Sequence, residues 1–139
     1  MNTEPPLQSV SPTTVKILTI DDSRMVHAVL GRAFRCYNVE LCSAQNGREG
    51  LGLVAQGATP PDLIVLDINM PEMDGLEFLR QLRGLTGFEA LPVVLLSADS
   101  GRRSAEDLKG LGAQRFVSKP FTEQQILEVV MDLLPLALK

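Results

Sequence analysis

The chain has 139 residues, 45% of them apolar and 22% charged, with a formal net charge of −4. That size suits one domain with its own core, and the mild negative charge gives no electrostatic case for nucleic acid or an anionic membrane surface. Cys36 and Cys42 lack CxxC spacing and have His27 as the only histidine in the chain, which argues against a thiolate metal centre and for reduced thiols in a cytosolic protein.

No apolar run reaches membrane-span length and no signal pattern opens the chain, so a cytoplasmic location is expected. Residues 1–14 are rich in Pro, Ser and Thr and predict a short flexible tail, leaving residues 15–139 as the domain. Val15 to Ile20 is a β-branched, mostly apolar strand that ends on Asp21-Asp22. Ser23 is an N-cap, after which Met25, Val26, Val29, Leu30, Ala33 and Phe34 recur at helical spacing. His27 falls off that stripe and reads as a solvated surface residue. Val39 to Ser43 predicts a second strand, and Asn46 caps a helix through Gly50, Leu51, Leu53, Val54 and Ala55.

Leu63 to Leu66 is an unbroken apolar run bounded by turn residues, the pattern of a strand buried on both faces of a parallel sheet. It ends on Asp67, before Pro71 and Asp74-Gly75 break the chain. An acid at the carboxyl end of such a strand sits where open α/β sheets place their ligands. A loop or capping acid is the plainer alternative, and this stretch alone does not choose between them. Asp74 opens a helix carrying Leu76, Phe78, Leu79 and Leu82. Leu91 to Leu96 is another buried strand, with Pro92 tolerated at its start, and it ends on Ser97-Ala98-Asp99. Arg102 to Leu111 predicts a polar helix with little to bury, a candidate mobile element. Phe116-Val117-Ser118 is a short strand followed by Lys119-Pro120-Phe121. Thr122 then caps an amphipathic helix with Ile126, Val129, Val130, Leu133 and Leu134.

Five strand–helix pairs spaced by roughly the length of a crossover predict an α/β fold, a doubly wound (βα)5 sandwich on a five-stranded parallel sheet. All strand ends then share one edge, which gathers Asp21, Asp22, Asp67, Ser97 and Lys119. Three crowded carboxylates repel unless a cation neutralises them. An all-oxygen site with few ligands suits Mg²⁺ better than a caged Ca²⁺. A hydroxyl and an ammonium are what a phosphoryl group on a carboxylate needs. Singly, Ser97 reads as a turn residue, Lys119 as a solvated charge and Asp21-Asp22 as helix-start acids. Their recurrence at successive strand ends favours a metal-assisted site where an aspartate accepts a phosphoryl group.

From Val15 to Leu134 the sequence resembles the receiver domain of response regulators, in its stand-alone, CheY-like form. The resemblance implies the flavodoxin-like strand order 2-1-3-4-5. It implies phosphorylation of Asp67 by a sensor histidine kinase or a histidine phosphotransfer protein. Mg²⁺, or Mn²⁺ in its place, would be held by Asp22, Asp67 and the Asn69 main-chain carbonyl, with Asp21 acting through water. Lys119 would pair with the phosphoryl oxygens, Ser97 would swing to one of them, and Phe116 would turn inward. Lys119-Pro120 matches a peptide bond that is cis in the family. Asn69 and Asp99, two residues beyond Asp67 and Ser97, match positions that tune phosphoryl lifetime, and a polar pair implies turnover rather than storage. The family often has threonine and tyrosine where this chain has Ser97 and Phe116, so a packing signal is expected in place of a polar one.

The implied output is binding of a downstream protein in trans through the Arg102–Leu111 helix, the Phe116 strand and the last helix, with no further module expected after Lys139. Neither nucleic acid nor membrane insertion is expected. The chain would be a phosphoacceptor switch that assists its own phosphorylation and dephosphorylation rather than an enzyme. Two other readings compete. A small phosphatase of the haloacid dehalogenase type uses an aspartate nucleophile, but it wants an acid two residues later, where this chain has Asn69. A phosphorylation-independent interaction module would not require the full set of Asp21, Asp22, Asp67, Ser97 and Lys119.

Overall fold

Alternation along the strands sorts the apolar residues into two cores, one on each face of a single sheet. The computed structural model describes residues 14–57, 60–70, 73, 75–98, 110 and 112–139. In chain order the elements are β1 (Val15–Ile20), α1 (Arg24–Ala33), β2 (Val39–Ala44), α2 (Gly47–Gln56), β3 (Leu63–Asp67), α3 (Gly75–Arg83), β4 (Val93–Ser97), β5 (Arg115–Ser118) and α4 (Glu123–Leu133). The strands are all parallel, in the order β2-β1-β3-β4-β5. The expected flexible tail, the Asp74 helix start and nearly all of the Arg102–Leu111 helix lie outside the described residues.

On one face Leu18, Ile20, Ile64, Leu66, Val93 and Leu95 pack under α2 and α3, which contribute Val54, Phe78, Leu79 and Leu82. On the other, Val15, Ile17, Leu63, Val65, Val94, Leu96 and Val117 pack under α1 and α4, through Val26, Leu30, Ile126 and Val130. β3 and β4 are buried along their whole length, as central strands covered on both faces must be. Three of the helices start where the sequence predicts. Ser23, Asn46 and Thr122 each accept a hydrogen bond from an N–H in the first turn, and Thr122 with Gln125 completes a capping box.

Strand boundaries shift by one residue at the ends of β2, β3 and β4 and at the start of β5, and the start of β4 shifts by two. β4 begins at Val93, not Leu91, because Pro92 has no N–H to give the ladder. Its carbonyl accepts from Ile64 N–H (3.0 Å), while Val93 N–H turns to the Gln114 side chain (2.7 Å).

Beyond α4 the chain folds back across the amino-terminal edge of the sheet. Asn38 N–H donates to Ala137 O (2.7 Å) and Lys139 N–H to Cys36 O (3.0 Å), giving an antiparallel bridge between Tyr37 and Leu138. Leu134 and Leu136 pack on the α1–α4 core as they pass. Among the described residues no helix is long and apolar enough to cross a membrane.

Candidate functional site

The ladder continues past the strand ends and sets the site. Asp21 N–H donates to Ala44 O (3.1 Å), Ile68 N–H to Leu96 O (2.9 Å) and Lys119 N–H to Ser97 O (2.8 Å). The side chains that follow β1, β3, β4 and β5 are thereby lined along one edge. Asp21, Asp67 and Ser97 are at most 2% exposed, whereas Asp22 is open to solvent. Each of the three aspartates brings a carboxylate oxygen within 4.8 Å of the others.

Lys119 reaches into this cluster from the far side. Its Nζ lies 3.0 Å from Asp21 Oδ2 and 3.3 Å from Asp67 Oδ2. Burial opposes the ammonium charge, but Asp21 and then Asp67 outweigh it and raise the Lys119 pKa. The Asp67 pKa is also raised, first by burial and then by the neighbouring Asp21, against the pull of Asn69 N–H and Lys119. Asn69 N–H donates to Asp67 Oδ1 at 3.0 Å, and Ser97 Oγ stands 3.5 Å from Asn69 Oδ1. Three carboxylates thus face one ammonium. A compact set of hard oxygens with unmatched negative charge fits a divalent cation of the Mg²⁺ class.

Six of the expected residues therefore meet: Asp21, Asp22, Asp67, Asn69, Ser97 and Lys119. The Lys119-Pro120 peptide bond is cis. Phe116 lies on β5 opposite Leu95, half-buried against the α2–α3 core. Asp99 lies outside the described residues. Beside Lys119 an apolar groove of about 370 Å³ runs between α1 and the start of α4, lined by Met25, Val26, Val29, Pro120 and Phe121.

His27 corrects the sequence reading. It is not a solvated surface residue but half-buried, with ring Nε2 2.7 Å from Asp21 O and Nδ1 buried without a partner among the described residues. Helical periodicity cannot register this contact, because the ring reaches back over the cap rather than into the core. The one available signal is position: His27 lies four residues after the Ser23 cap, on the turn that overhangs Asp21-Asp22.

A second residue missed from sequence is Gly75. Its N–H donates to Ile68 O (2.9 Å), and a Cβ there would lie 2.7 Å from Ile68 Cα and 2.8 Å from Asp67 O. Both are main-chain atoms of the segment leaving β3, which leaves nothing flexible to yield. Gly75→Ala is expected to lower stability by about 1–3 kcal/mol in urea unfolding and to displace the Asp67 loop. A stability loss below about 0.5 kcal/mol, the range of an ordinary surface change, would contradict this tight approach.

A family model for the response regulator receiver domain matches residues 17–131. The chain is similar to the response regulator MprA of Mycolicibacterium vanbaalenii, 44% identical over 124 residues that cover 86% of this chain and 50% of that protein. It is also similar to the sensor histidine kinase CheAY of Helicobacter pylori, 32% identical over 122 residues, covering 86% of this chain and 15% of the kinase. The chain spans about half the length of the MprA relatives it matches. Among solved structures, the chemotaxis protein CheY4 of Vibrio cholerae matches with a TM-score of 0.80 and 26% identity, over 88% of this chain and 100% of that one.

Proposed function

The chain belongs to the response-regulator receiver family, and from that premise we propose that Asp67 is its phosphoacceptor in two-component signalling. The observation that carries this reading is Lys119 Nζ standing between Asp21 and Asp67, 3.0 and 3.3 Å away, at the edge where Asp22 also opens. An Asp67 carboxylate oxygen attacks the phosphorus of a phosphohistidine on a sensor kinase or phosphotransfer protein. The P–N bond breaks, its electron pair returns to the imidazole, and an acyl phosphate forms.

Receiver domains bind Mg²⁺ at an acidic pocket, and Asp21, Asp22, Asp67 and the Asn69 carbonyl are the groups proposed to hold it here, with Mn²⁺ as an alternative. That ion supplies charge neutralisation for the incoming phosphoryl oxygens. Lys119 exchanges part of its contact with Asp67 for the new phosphoryl group. The Ser97 hydroxyl, now 3.5 Å from Asn69 Oδ1, donates to a phosphoryl oxygen instead. Phe116 then repacks, and the surface that includes β5 and α4 changes its affinity for a downstream protein. The apolar groove at Met25, Val29 and Phe121 supports a protein donor rather than a small molecule as the natural source of phosphoryl groups. A cytoplasmic location belongs to this reading.

Intact mass spectrometry after incubation with acetyl phosphate or phosphoramidate and Mg²⁺ tests it. A gain of one phosphoryl group, suppressed by EDTA, is expected. No gain from either donor, with no Mg²⁺ binding, would leave a phosphorylation-independent interaction module. Following the mass after donor removal reads turnover, in which Asn69 and Asp99 are proposed to act. Bulky residues at both positions are expected to slow decay, and an unchanged decay rate would remove them from that role.

A further inference from the structure

We propose that His27 is a positioning residue for the carboxylate cluster: it holds the Asp21 carbonyl and so fixes the peptide plane from which Asp22 projects. The inference rests on the phosphoacceptor reading above and adds to it a residue outside the motif.

A carbonyl oxygen only accepts, so the 2.7 Å contact from His27 Nε2 to Asp21 O assigns the ring proton to Nε2. In the neutral ring Nδ1 is then a bare lone pair, and it is buried without a partner among the described residues. Leaving that atom unpaired costs free energy, a sign that the contact at the other nitrogen is what the ring is held for. The other polar groups of Asp21 are fixed independently. Its N–H donates to Ala44 O (3.1 Å), its Oδ1 accepts Ser23 N–H (2.8 Å), and its Oδ2 faces Lys119 Nζ (3.0 Å).

Asp22 differs: it is exposed, and its side chain makes no hydrogen bond among the described residues. Its direction is inherited from the backbone. Because the Asp21–Asp22 peptide is planar, pinning its C=O also fixes where its N–H and the Asp22 Cα lie. The first helical bond, His27 N–H to Ser23 O (3.3 Å), sets the root of the imidazole over this turn. His27 thus ties the first turn of α1 to the peptide that joins the two acids. A cation bound by Asp22 and Asp67 then meets a ligand already aimed, and ordering is not charged against binding.

The chain has a single histidine, which makes the test direct. Nitrogen NMR of the metal-free parent above pH 8 is expected to show the Nε2–H tautomer. The Nδ1–H tautomer would overturn the proposal. Calorimetric Mg²⁺ titration is expected to weaken about tenfold in His27→Leu and to stay within about threefold of the parent in His27→Gln, whose amide can still donate. Melting in EDTA checks that each variant is folded. Parent-like Mg²⁺ affinity in His27→Leu, or equal losses in the Leu and Gln variants, would sink the positioning role while leaving the phosphoacceptor reading intact. Should His27→Leu fail to fold, the tautomer and the Gln titration still decide, since the latter must stay near the parent. A parent that binds no Mg²⁺ would instead overturn the phosphoacceptor reading, and this proposal with it.

Discussion

Asparagine in place of Asp67 is expected to abolish phosphoryl uptake from every donor and, with no divalent cation present, to raise the melting temperature. The first effect is complete loss, because a neutral amide lacks the anionic oxygen that attacks phosphorus. The second follows from Asp67 being 2% exposed and beside the fully buried Asp21, with Lys119 as the ammonium between them. The amide keeps an oxygen for Asn69 N–H, now 3.0 Å from Asp67 Oδ1, while removing a buried negative charge.

The pH dependence has a definite sign. Burial, then Asp21, raise the folded-state pKa of Asp67 above its unfolded value, so the native state binds the proton more tightly than the unfolded chain does. That contribution is fully present below the unfolded carboxylate pKa, about 3.9, and is lost as pH rises through the raised folded value. The parent should therefore fall behind Asp67→Asn progressively as pH rises from about 4 towards neutrality. Mg²⁺, by binding the native parent, should narrow the gap. Thermal melts of both chains in EDTA across this range check it. A gap that closes with rising pH would contradict the burial and repulsion assigned to Asp67.

The largest stability loss is expected from Phe78→Ala, about 3–5 kcal/mol, out of a total of about 5–15 kcal/mol for a domain. Phe78 has no exposed surface and is among the largest fully buried side chains. It stands on α3 beside Gly50 of α2 and Ile20 of β1. A Cβ on Gly50 would be 2.5 Å from Ile20 Cδ1 and 3.3 Å from Phe78 Cε1. With backbone pressed this near, neighbours cannot collapse into the vacated space, which is the condition for the high end of the cavity cost. Urea unfolding should show a lower midpoint at an unchanged slope. A loss below about 1 kcal/mol, typical of an ordinary point change, would mean that α2 and α3 are free to close over the gap.

The legible parts of this chain were those written in repeating patterns. Leu63–Asp67 and Val93–Ser97 are apolar throughout because both faces are covered, and such runs announce buried parallel strands. The site could be read because four of these strands end on polar residues, and parallel strands end on the same edge. Strand order was not written locally; the order β2-β1-β3-β4-β5 came from resemblance to a family. His27 was misread because the helical stripe records only what faces the core. Gly75 was read only as a chain breaker, because a close backbone approach leaves no periodic trace. The return of residues 135–139 along Cys36 to Asn38 was equally invisible, since it depends on where α4 ends in space.

That return determines what the last residue is attached to. Lys139 is fastened to Cys36 by a main-chain hydrogen bond, at the end of the sheet opposite Asp67 and about one strand length, roughly 15–20 Å, from it. Polypeptide joined there would leave from a clamped post instead of a loose tether. Its starting direction would be tied to β2 and α4 together, at the end of the sheet away from the edge that carries Asp67.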